Sequence, residues 1–343
     1  MNEPLISICI PTYNGSKYLE ECLLSVFEQT YNDFEIIICD DCSTDNTLEI
    51  VKIFQQKDTR IKLFVNESNL GLVGNWNRCI ELAKGEWIKF LFQDDSMSAT
   101  CLQEMLQVTN SNTQMVVCER EYIFEDGITT GIKKKYSRTP RMYQLVGDKG
   151  VQHISAKYLC SLIGKCFPSN FIGEPTSIMF RKSVTKKIGF FNSKVTQLCD
   201  LEYCLRIGVR DGFVYIPDKL VNFRVHGLSA TQKNNSEKYF KSSYSDRIIT
   251  LCLLFFDLDY KNFRKNCTKT NLYKLKYNLL YSLYHADLYI KTNYKDQLLL
   301  KEMQDIMNLY PKINKYKKYY PLYATLKSWI LLIRQKNNSL IKG

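Results

Sequence analysis

The sequence lacks any apolar run long enough to cross a membrane. No stretch approaches the ~20 uninterrupted apolar residues that a membrane-spanning helix requires. The N-terminal Met-Asn-Glu-Pro also lacks the basic and long apolar segments of a signal peptide, so we expect a cytoplasmic protein. The first apolar run is not followed by Gly-x-Gly-x-x-Gly, which argues against a dinucleotide-dependent oxidoreductase.

Cysteines are not scarce, but they lack the spacing of a metal site. The chain has 13 cysteines in 343 residues, and several stand inside apolar runs, namely Cys9, Cys39, Cys79 and Cys118. Buried thiols behave as small hydrophobic side chains, which favours a reducing compartment over a disulfide scaffold. Cys39 and Cys42 have C-x-x-C spacing, but no second such pair accompanies them, so we expect no zinc site.

Acidic residues are absent from the last part of the chain, residues 306–343, which we call the basic tail. The tail carries eight basic residues, against a formal net charge of +12 for the whole chain. It favours an anionic surface, either phospholipid or nucleic acid. Residues 316–333 mix lysine with tyrosine, leucine and tryptophan, as a helix in a membrane interface does. Packing on its own domain, or on a partner subunit in a homo-oligomer, is an equal alternative.

The first hundred residues contain a regular alternation of strand and helix patterns. Short apolar runs typical of buried parallel strands occupy residues 5–10, 35–39, 61–65 and 87–92. Apolar side chains at helical spacing occupy residues 17–29, 47–54 and 75–83. We expect Gly85 to end the last of these helices in a left-handed conformation. This order predicts an α/β fold, a mostly parallel, doubly wound sheet flanked by helices.

The rest of the chain is less regular. We expect a helix at 99–109, a strand at 115–118, a basic loop over 133–141, a strand ending at Arg181 and a helix at 198–209. After residue 236 strand patterns stop, and long amphipathic segments rich in Tyr, Leu and Lys begin. We therefore predict an α/β domain over residues 1–232 and a helical C-terminal region over residues 233–343.

Two acidic pairs follow strands of the predicted sheet. Asp40-Asp41 ends the second strand and Asp94-Asp95 ends the fourth, where the crevice of an open α/β sheet binds ligands. Adjacent carboxylates repel each other, so a divalent cation shared with a diphosphate is one natural partner. Turn chemistry and helix capping are the alternative for each pair. A carboxylate at this position can also accept hydrogen bonds from a nucleobase or a ribose.

Three motifs carry a family resemblance. Residues 7–15 read Ser-Ile-Cys-Ile-Pro-Thr-Tyr-Asn-Gly, residues 39–45 read Cys-Asp-Asp-Cys-Ser-Thr-Asp, and residues 85–95 end in Gln-Asp-Asp. In order and spacing they resemble the family 2 glycosyltransferases over roughly residues 5–230. The resemblance implies a GT-A, Rossmann-like domain over residues 1–232, with the helical region as an extension. It implies an inverting enzyme that uses a nucleoside-diphosphate sugar, with UDP the expected nucleotide, and Mn²⁺ or Mg²⁺.

The resemblance also implies roles for residues of the donor side. Pro11, Thr12 and Tyr13 match residues that contact the nucleotide, and Asp41 matches the carboxylate that reads the base. Asp94 matches the carboxylate for the donor sugar and ribose, whereas Asp95 and His226 match metal ligands. Gln93 stands where the family usually has a carboxylate. Three more residues match the segments over the donor and its phosphates, namely Asn69, Arg78 and Arg224.

On the acceptor side, Asp200 matches the catalytic base of the family. It follows Cys199 where the family usually has a glutamate, and Glu202 stands two positions later. Glu174 lies in a segment that resembles the acceptor loop, so we assign Glu174 and Glu202 to the acceptor side. Without the resemblance, Asp200 and Glu202 are explained as the acidic first turn of a helix.

Several function classes are compatible with the sequence. The expected acceptor is a hydroxyl of a saccharide or of a lipid-linked saccharide, and the Lys-, Asn- and Ile-rich composition favours bacterial surface-polysaccharide synthesis. Lipid-linked acceptors would place the enzyme on the inner face of the plasma membrane as a peripheral protein. The alternatives are a nucleotidyltransferase acting on sugar phosphates and a non-catalytic nucleotide-sugar-binding protein. An acidic rim repels phosphate, so we expect no nucleic acid partner.

Overall fold

The computed structural model describes residues 5–147, 149–229, 240–293 and 296–323. The predicted boundary at residue 232 and residues 324–343 of the basic tail lie outside the described residues. The strands are β1 Ile6–Thr12, β2 Phe34–Asp40, β3 Ile61–Val65, β4 Trp87–Phe90, β5 Ser96–Met97, β6 Met115–Phe124, β7 Gln152–Ile154, β8 Ile178–Arg181 and β9 Phe213–Val225.

The α-helices follow the strands in the first part of the chain and replace them in the last part. They are α1 Leu19–Phe27, α2 Thr47–Lys57, α3 Gly71–Leu82, α4 Cys101–Gln107, α5 Thr130–Arg138, α6 Met142–Val146, α7 Ala156–Cys166, α8 Thr185–Ile188, α9 Cys199–Asp211, α10 Asp246–Phe256, α11 Lys261–Asn266, α12 Lys269–Thr292 and α13 Gln297–Leu309. No helix among the described residues is both long enough and apolar enough to pass through a bilayer.

The strands form one mixed sheet with the order β3-β2-β1-β4-β8-β6-β9-β5, and β7 pairs with β9 at its side. The first four neighbours are parallel, as the alternating sequence patterns predict. β8 is antiparallel to both β4 and β6, whereas β6 runs parallel to β9. The carboxyl ends of β1, β2 and β4 therefore lie along one edge, which we call the rim.

Helices cover both faces of this sheet. Along β1, Ile8 contributes to one apolar cluster and Cys9 to the other, because successive side chains point to opposite faces. Leu23 of α1 packs on the first face, and Trp76 of α3 packs on the second. Eleven of the 13 cysteines are buried, as their apolar neighbours in the sequence predict.

Three local predictions were wrong. Gly85 does not have a positive φ, and α3 ends at Leu82; a side chain at position 85 would instead meet the backbone nitrogen of Ser7 at 2.5 Å. The expected basic loop over residues 133–141 instead contains most of helix α5 and ends at Arg141, the residue before α6. The strand expected to end at Cys118 continues to Phe124, because the charges of Glu119 and Arg120 are buried and paired with each other.

The helical C-terminal region contacts the segment before α9. The Asp246 Oδ2 atom accepts hydrogen bonds from the backbone N–H groups of Thr196 at 2.9 Å, of Leu198 at 3.3 Å and of Gln197. Burial raises the pKa of Asp246 to about 6. The loop that introduces α9 is therefore fixed by a residue of α10.

Candidate active site

The end of β2 is fixed to the end of β1 by side chains. Thr12 is buried, and its hydroxyl donates to Asp40 Oδ2 at 2.9 Å. The same carboxylate accepts from the Ser43 N–H at 2.8 Å and from the Ser43 hydroxyl at 2.6 Å. Thr12 and Asp40 therefore shape the rim from inside the protein.

Asp41 stands at the start of α3, where its carboxylate accepts three hydrogen bonds. Oδ1 accepts from the Leu70 N–H at 2.7 Å and from Asn66 Nδ2 at 2.8 Å, and Oδ2 accepts from the Gly71 N–H at 2.9 Å. A negative charge here also compensates the positive end of the helix. A carboxylate has about four acceptor positions, so one on Oδ2 remains for a ligand. Asn69 supports this turn because its Nδ2 donates to the Asp41 carbonyl at 3.0 Å.

Tyr13 follows β1 and is 46% exposed, whereas the preceding Pro11 is buried. The Tyr13 N–H donates to Gln93 Oε1 at 2.9 Å, and Gln93 Nε2 donates to the Tyr13 carbonyl at 3.1 Å. Gln93 thus holds the backbone of Tyr13 through both halves of its amide. A Cβ atom at Gly15 would lie 2.1 Å from Gln93 Oε1, so this arrangement requires the glycine.

Asp94 and His226 face each other at the rim. His226 Nε2 lies 2.9 Å from Asp94 Oδ2, and the His226 ring meets the edge of Tyr18 with centroids 4.7 Å apart. His226 is 5% exposed, and its buried Nδ1 atom has no hydrogen-bond partner among the residues that the structure describes. The end of β9 brings the histidine here.

Asp95 is more deeply placed, with 2% of its surface exposed. Its Oδ2 atom accepts from the Thr176 hydroxyl at 2.5 Å, and its Oδ1 atom accepts from the Arg224 N–H at 2.9 Å. Burial, followed by repulsion from Asp94, raises the pKa of Asp95 well above its usual value. Both oxygens of Asp95 are therefore engaged by the protein.

The geometry departs from the predicted metal pair of Asp95 and His226. The histidine contacts Asp94, and Asp95 is occupied by Thr176 and Arg224. Among the described residues no group of three or more His, Cys, Asp or Glu side chains is arranged to hold a metal ion. One carboxylate and one imidazole, completed by diphosphate and water oxygens, nevertheless form a donor set that suits Mn²⁺ or Mg²⁺.

Two predicted donor-side arginines have different surroundings. Arg224 donates from Nε to the Asp94 carbonyl at 3.1 Å and pairs with Glu21 at 2.5 Å, so it holds the Asp94–Asp95 segment in place. Arg78 lies half exposed on α3 and pairs with Glu81 at 3.3 Å rather than with a residue of the rim.

Asp200 stands in the first turn of α9. Its Oδ1 atom accepts from the Leu201 N–H at 2.7 Å, and its Oδ2 atom accepts from Asn170 Nδ2 at 2.8 Å. Burial raises the pKa of Asp200 to about 7, and the charge of Glu174 adds to this rise. A carboxylate with a pKa near neutrality is suited to general-base catalysis.

Glu174 is linked to the interior through Arg120. The Glu174 Oε2 atom lies 2.5 Å from Arg120 Nε, and Arg120 is 1% exposed. Arg120 Nε also donates to the Tyr122 hydroxyl at 3.2 Å. Glu174 keeps 17% of its side chain exposed, so it is available to a ligand beside Asp200.

The assignment of Glu202 to the acceptor side was wrong. Glu202 is 1% exposed, and its Oε2 atom pairs with Arg206 at 2.9 Å. Its Oε1 atom accepts from the Tyr260 hydroxyl at 2.9 Å. Both oxygens face the protein interior, because a position two residues after Asp200 lies on another face of the helix.

Three residues that position the site were not predicted from the sequence. Asn170 holds Asp200, and Thr176 holds Asp95. Lys89 is fully buried in β4 and donates from Nζ to the carbonyls of Phe90, at 3.0 Å, and of Thr176. A lysine inside the apolar run of β4 is an available signal, since a buried ammonium needs acceptors. Asn170 lies in a loop and Thr176 in a single turn of 3₁₀ helix, and neither position carries such a signal.

Comparison with known sequences agrees with this geometry. The family model described as "Glycosyl transferase family 2" matches residues 7–189. An uncharacterized protein of Mycobacterium tuberculosis is 30% identical over 218 residues, which is 64% of this chain and 66% of that protein. A UDP-Glc:alpha-D-GlcNAc-diphosphoundecaprenol beta-1,3-glucosyltransferase of Escherichia coli is 37% identical over 112 residues. This match covers 33% of the chain and 44% of the relative, so the chain spans less than two thirds of either relative.

Solved structures share the fold. S. aureus TarS in complex with UDP-GlcNAc superposes with a TM-score of 0.59 at 18% identity, over 94% of this chain and 87% of that chain. A mannosyltransferase from Pyrobaculum calidifontis in complex with GDP-Man and Mn²⁺ superposes with a TM-score of 0.56 at 15% identity, over 96% and 87%. These likenesses confirm the predicted GT-A fold. Because the family model spans more than half of its length, the chain belongs to glycosyl transferase family 2.

Proposed function

We propose that the protein transfers a sugar from a UDP-sugar to a hydroxyl of a saccharide or lipid-linked saccharide, with inversion at the anomeric carbon. One observation carries this proposal: a single short segment contacts both acids of the site. Asn170 donates to Asp200 at 2.8 Å, and Thr176 donates to Asp95 at 2.5 Å. The candidate base Asp200 and the acid Asp95, five residues after β4, are thus held by residues 170–176.

The donor is proposed to lie along the rim. Tyr13, half exposed after Pro11 and Thr12, would contact the base, and the remaining acceptor position of Asp41 would take an N–H of the uracil ring. Asp94 and His226 would hold a divalent cation, which when bound supplies positive charge to the departing diphosphate. We propose that Asn69 and Arg224 hold the rim in shape, and that Arg78 reaches the donor from α3.

The acceptor is proposed to meet Asp200 and Glu174. The acceptor oxygen forms a bond to the anomeric carbon while the bond from that carbon to the diphosphate oxygen breaks. Asp200 takes the proton from the acceptor hydroxyl, and the electron pair of the broken bond leaves with the nucleoside diphosphate. A single displacement with no protein nucleophile inverts the anomeric centre.

Two related solved structures support the choice of donor class. TarS is solved with UDP-GlcNAc, and the Pyrobaculum calidifontis enzyme with GDP-Man and Mn²⁺. The Escherichia coli relative is named for a UDP-Glc donor and a diphosphoundecaprenol-linked acceptor. These names support our proposal that the reaction belongs to surface-polysaccharide synthesis.

A donor screen tests the proposal. The full chain is mixed with UDP-, GDP- and dTDP-sugars and Mn²⁺, and thermal shift and nucleotide release are measured. We expect a UDP-sugar to stabilise the protein and to release UDP once an acceptor is added. Release of pyrophosphate from UTP and a sugar 1-phosphate would instead show a nucleotidyltransferase. Binding of a UDP-sugar without turnover on any acceptor tried would favour a non-catalytic binding protein.

We also propose that the basic tail attaches the protein to anionic lipid at the inner face of the plasma membrane. The charge of residues 306–343 and the lipid-linked acceptor of the Escherichia coli relative support this location. Sedimentation of the full chain with anionic vesicles, compared with a chain ending at residue 305, measures the attachment. Equal sedimentation of both chains would contradict it, and light scattering of both tests whether the tail instead forms a homo-oligomer.

A further inference from the structure

One face of helix α5 is basic and lines an open depression of about 460 Å³. Gly131, Lys134, Lys135 and Arg138 recur at the spacing of one helical face, and all four are exposed. Thr139 and Ser169 complete the lining. The depression therefore has α5 on one side and the start of the 169–176 segment on the other.

The opposite face of α5 is anchored on the sheet beside the site. Tyr136 packs against Tyr122 of β6, with ring centroids 5.0 Å apart, and against Phe223 of β9 at 6.4 Å. Burial, and after it the negative charges of Glu174 and Asp95, raise the pKa of Tyr136. Helix α5 is thus held against the sheet next to the acidic rim.

The positive charges on the exposed face of α5 have no acidic partners within the described part of the chain. None of the ion pairs there includes Lys134, Lys135 or Arg138, and α5 itself contains no acidic residue. Arg141, one turn further on, is by contrast paired with Glu119 at 2.8 Å. Three unpaired cations on one face are an arrangement that recognises phosphate, with the arginine able to form two parallel hydrogen bonds.

The depression adjoins the acceptor side of the site. Ser169 lines it, and the next residue, Asn170, donates to Asp200 at 2.8 Å. The residues proposed to hold the donor cation, Asp94 and His226, lie instead in the segments that follow β4 and β9. A group bound between α5 and Ser169 therefore lies next to the proposed base rather than at the proposed diphosphate site of the donor.

We propose that the depression between α5 and Ser169 binds a phosphate or diphosphate group of the acceptor, with Lys134, Lys135 and Arg138 as its ligands. This inference rests on the proposed function and deepens it, because it restricts acceptors to saccharides that carry phosphate near the reacting sugar. The phosphate anchors the acceptor, and the sugar hydroxyl then extends past Asn170 towards Asp200. An uncharged acceptor would lack this anchor.

Binding of simple diphosphates tests the site without knowledge of the acceptor. The probes are geranyl diphosphate, inorganic pyrophosphate and uncharged geraniol, titrated into the full chain with UDP and excess Mn²⁺ present. The test variant is Lys134→Glu with Arg138→Glu, and a milder form is Lys134→Gln with Arg138→Gln. The matched control is Lys52→Glu with Lys301→Glu, which changes the net charge as much as the test variant does at exposed positions elsewhere.

We expect both diphosphates to bind the test variant at least tenfold more weakly than the wild type and the control, and geraniol to bind none of them. Equal affinities for the two diphosphates would show that the phosphate groups alone are sufficient for binding. Tighter binding of geranyl diphosphate would indicate that the acceptor is lipid-linked. Equal binding by test and control variants would overturn the site.

The UDP affinity of the same proteins separates this inference from the proposed function. An unchanged UDP affinity in the test variant would support a site separate from the donor site. A loss of UDP affinity equal to the loss of diphosphate affinity would show that α5 binds the donor instead. If the wild type did not bind UDP but the test variant still bound diphosphates more weakly than the control, only the proposed function would be rejected.

Discussion

The two acidic pairs lie at or shortly after the ends of the strands that flank β1, but they differ in burial and in hydrogen bonding. In the first pair, Asp40 and Asp41 together accept hydrogen bonds from hydroxyl, amide and backbone donors, and both are at least 97% buried. In the second pair, Asp95 is engaged in the same way. Asp94 makes one side-chain hydrogen bond within the described residues, to His226, and keeps 22% of its side chain exposed.

The difference indicates which acids are free to act on a ligand. A carboxylate whose oxygens are satisfied by the protein fixes the backbone around it, and its removal costs folding free energy. A carboxylate with spare acceptor positions at a cleft can bind a cation or a proton. Each oxygen of Asp95 and of Asp200 accepts one hydrogen bond, but Asp95 is buried, whereas Asp200 and Asp94 are only partly buried. Asp94 and Asp200 therefore belong to the second kind, and the buried Asp40, Asp95 and Glu202 belong to the first. The comparison therefore separates losses of activity from losses of stability.

Asp200→Asn gives the largest expected effect. The amide cannot take a proton from the acceptor, so turnover falls by about a thousandfold or more, or about 4 kcal/mol in activation free energy. UDP binding stays within about twofold, because Asp200 is not part of the donor rim. Turnover is measured with labelled donor and UDP affinity by calorimetry. Substantial residual turnover would show that another group is the base.

Glu202→Ala affects stability instead of chemistry. It leaves the buried guanidinium of Arg206 without its carboxylate and the Tyr260 hydroxyl without an acceptor. Removing one partner of a buried ion pair costs about 3 kcal/mol or more. Urea unfolding of the full chain measures this loss. A stable variant with reduced affinity for acceptors would restore Glu202 to the acceptor side.

Asp94→Asn is expected to lower turnover by about a hundredfold at fixed Mn²⁺. The asparagine oxygen can still meet His226, so the local structure persists while the negative charge is lost. The Mn²⁺ concentration at half-maximal rate should rise in parallel. The matched control is Asp95→Asn, whose oxygens contact Thr176 and the Arg224 backbone. A larger shift in Mn²⁺ dependence for Asp95→Asn than for Asp94→Asn would show that Asp95 is the metal ligand.

The pH dependence of turnover follows from the raised pKa of Asp200. The group must be ionised to act as a base, and its pKa is about 7 because of burial and the charge of Glu174. Turnover should therefore rise about tenfold between pH 6 and pH 8. Glu174→Gln removes the neighbouring charge and should move the profile to lower pH. A flat wild-type profile over this range would contradict the assignment.

The sequence was sufficient for the parallel half of the sheet and for the position of the rim. Buried parallel strands are continuous apolar runs, so β1 to β4 were predicted with errors of one or two residues at their ends. The continuation of β6 was missed because Glu119 and Arg120 are charged, and their mutual pairing in the interior is a tertiary effect. Helix α5 was missed because three adjacent lysines resemble a solvated loop and its apolar contacts come from distant strands.

The candidate site was predictable to a similar extent. The strand-end acids and Asp200 were found from motifs, but which oxygen remains free depends on donors far away in the chain. Thr176 and Asp95 are separated by 81 positions, and His226 and Asp94 by 132. Such partners are determined by the packing of the sheet, so the sequence alone could not separate Asp94 from Asp95.

Asp41→Asn gives the smallest expected effect. It tests an acid that both supports the backbone and keeps an acceptor position for a ligand. Its three backbone and amide donors make it structural, but they occupy three of about four acceptor positions and leave one on Oδ2 for a ligand. If that position takes the N3–H of uracil, the variant should lose about fivefold in UDP affinity, and its preference for UDP over CDP, which has no such proton, should shrink by the same factor. The melting temperature, measured alongside, reports the separate loss of helix-start bonds. A lower melting temperature with an unchanged UDP-to-CDP ratio would place Asp41 wholly with the structural acids.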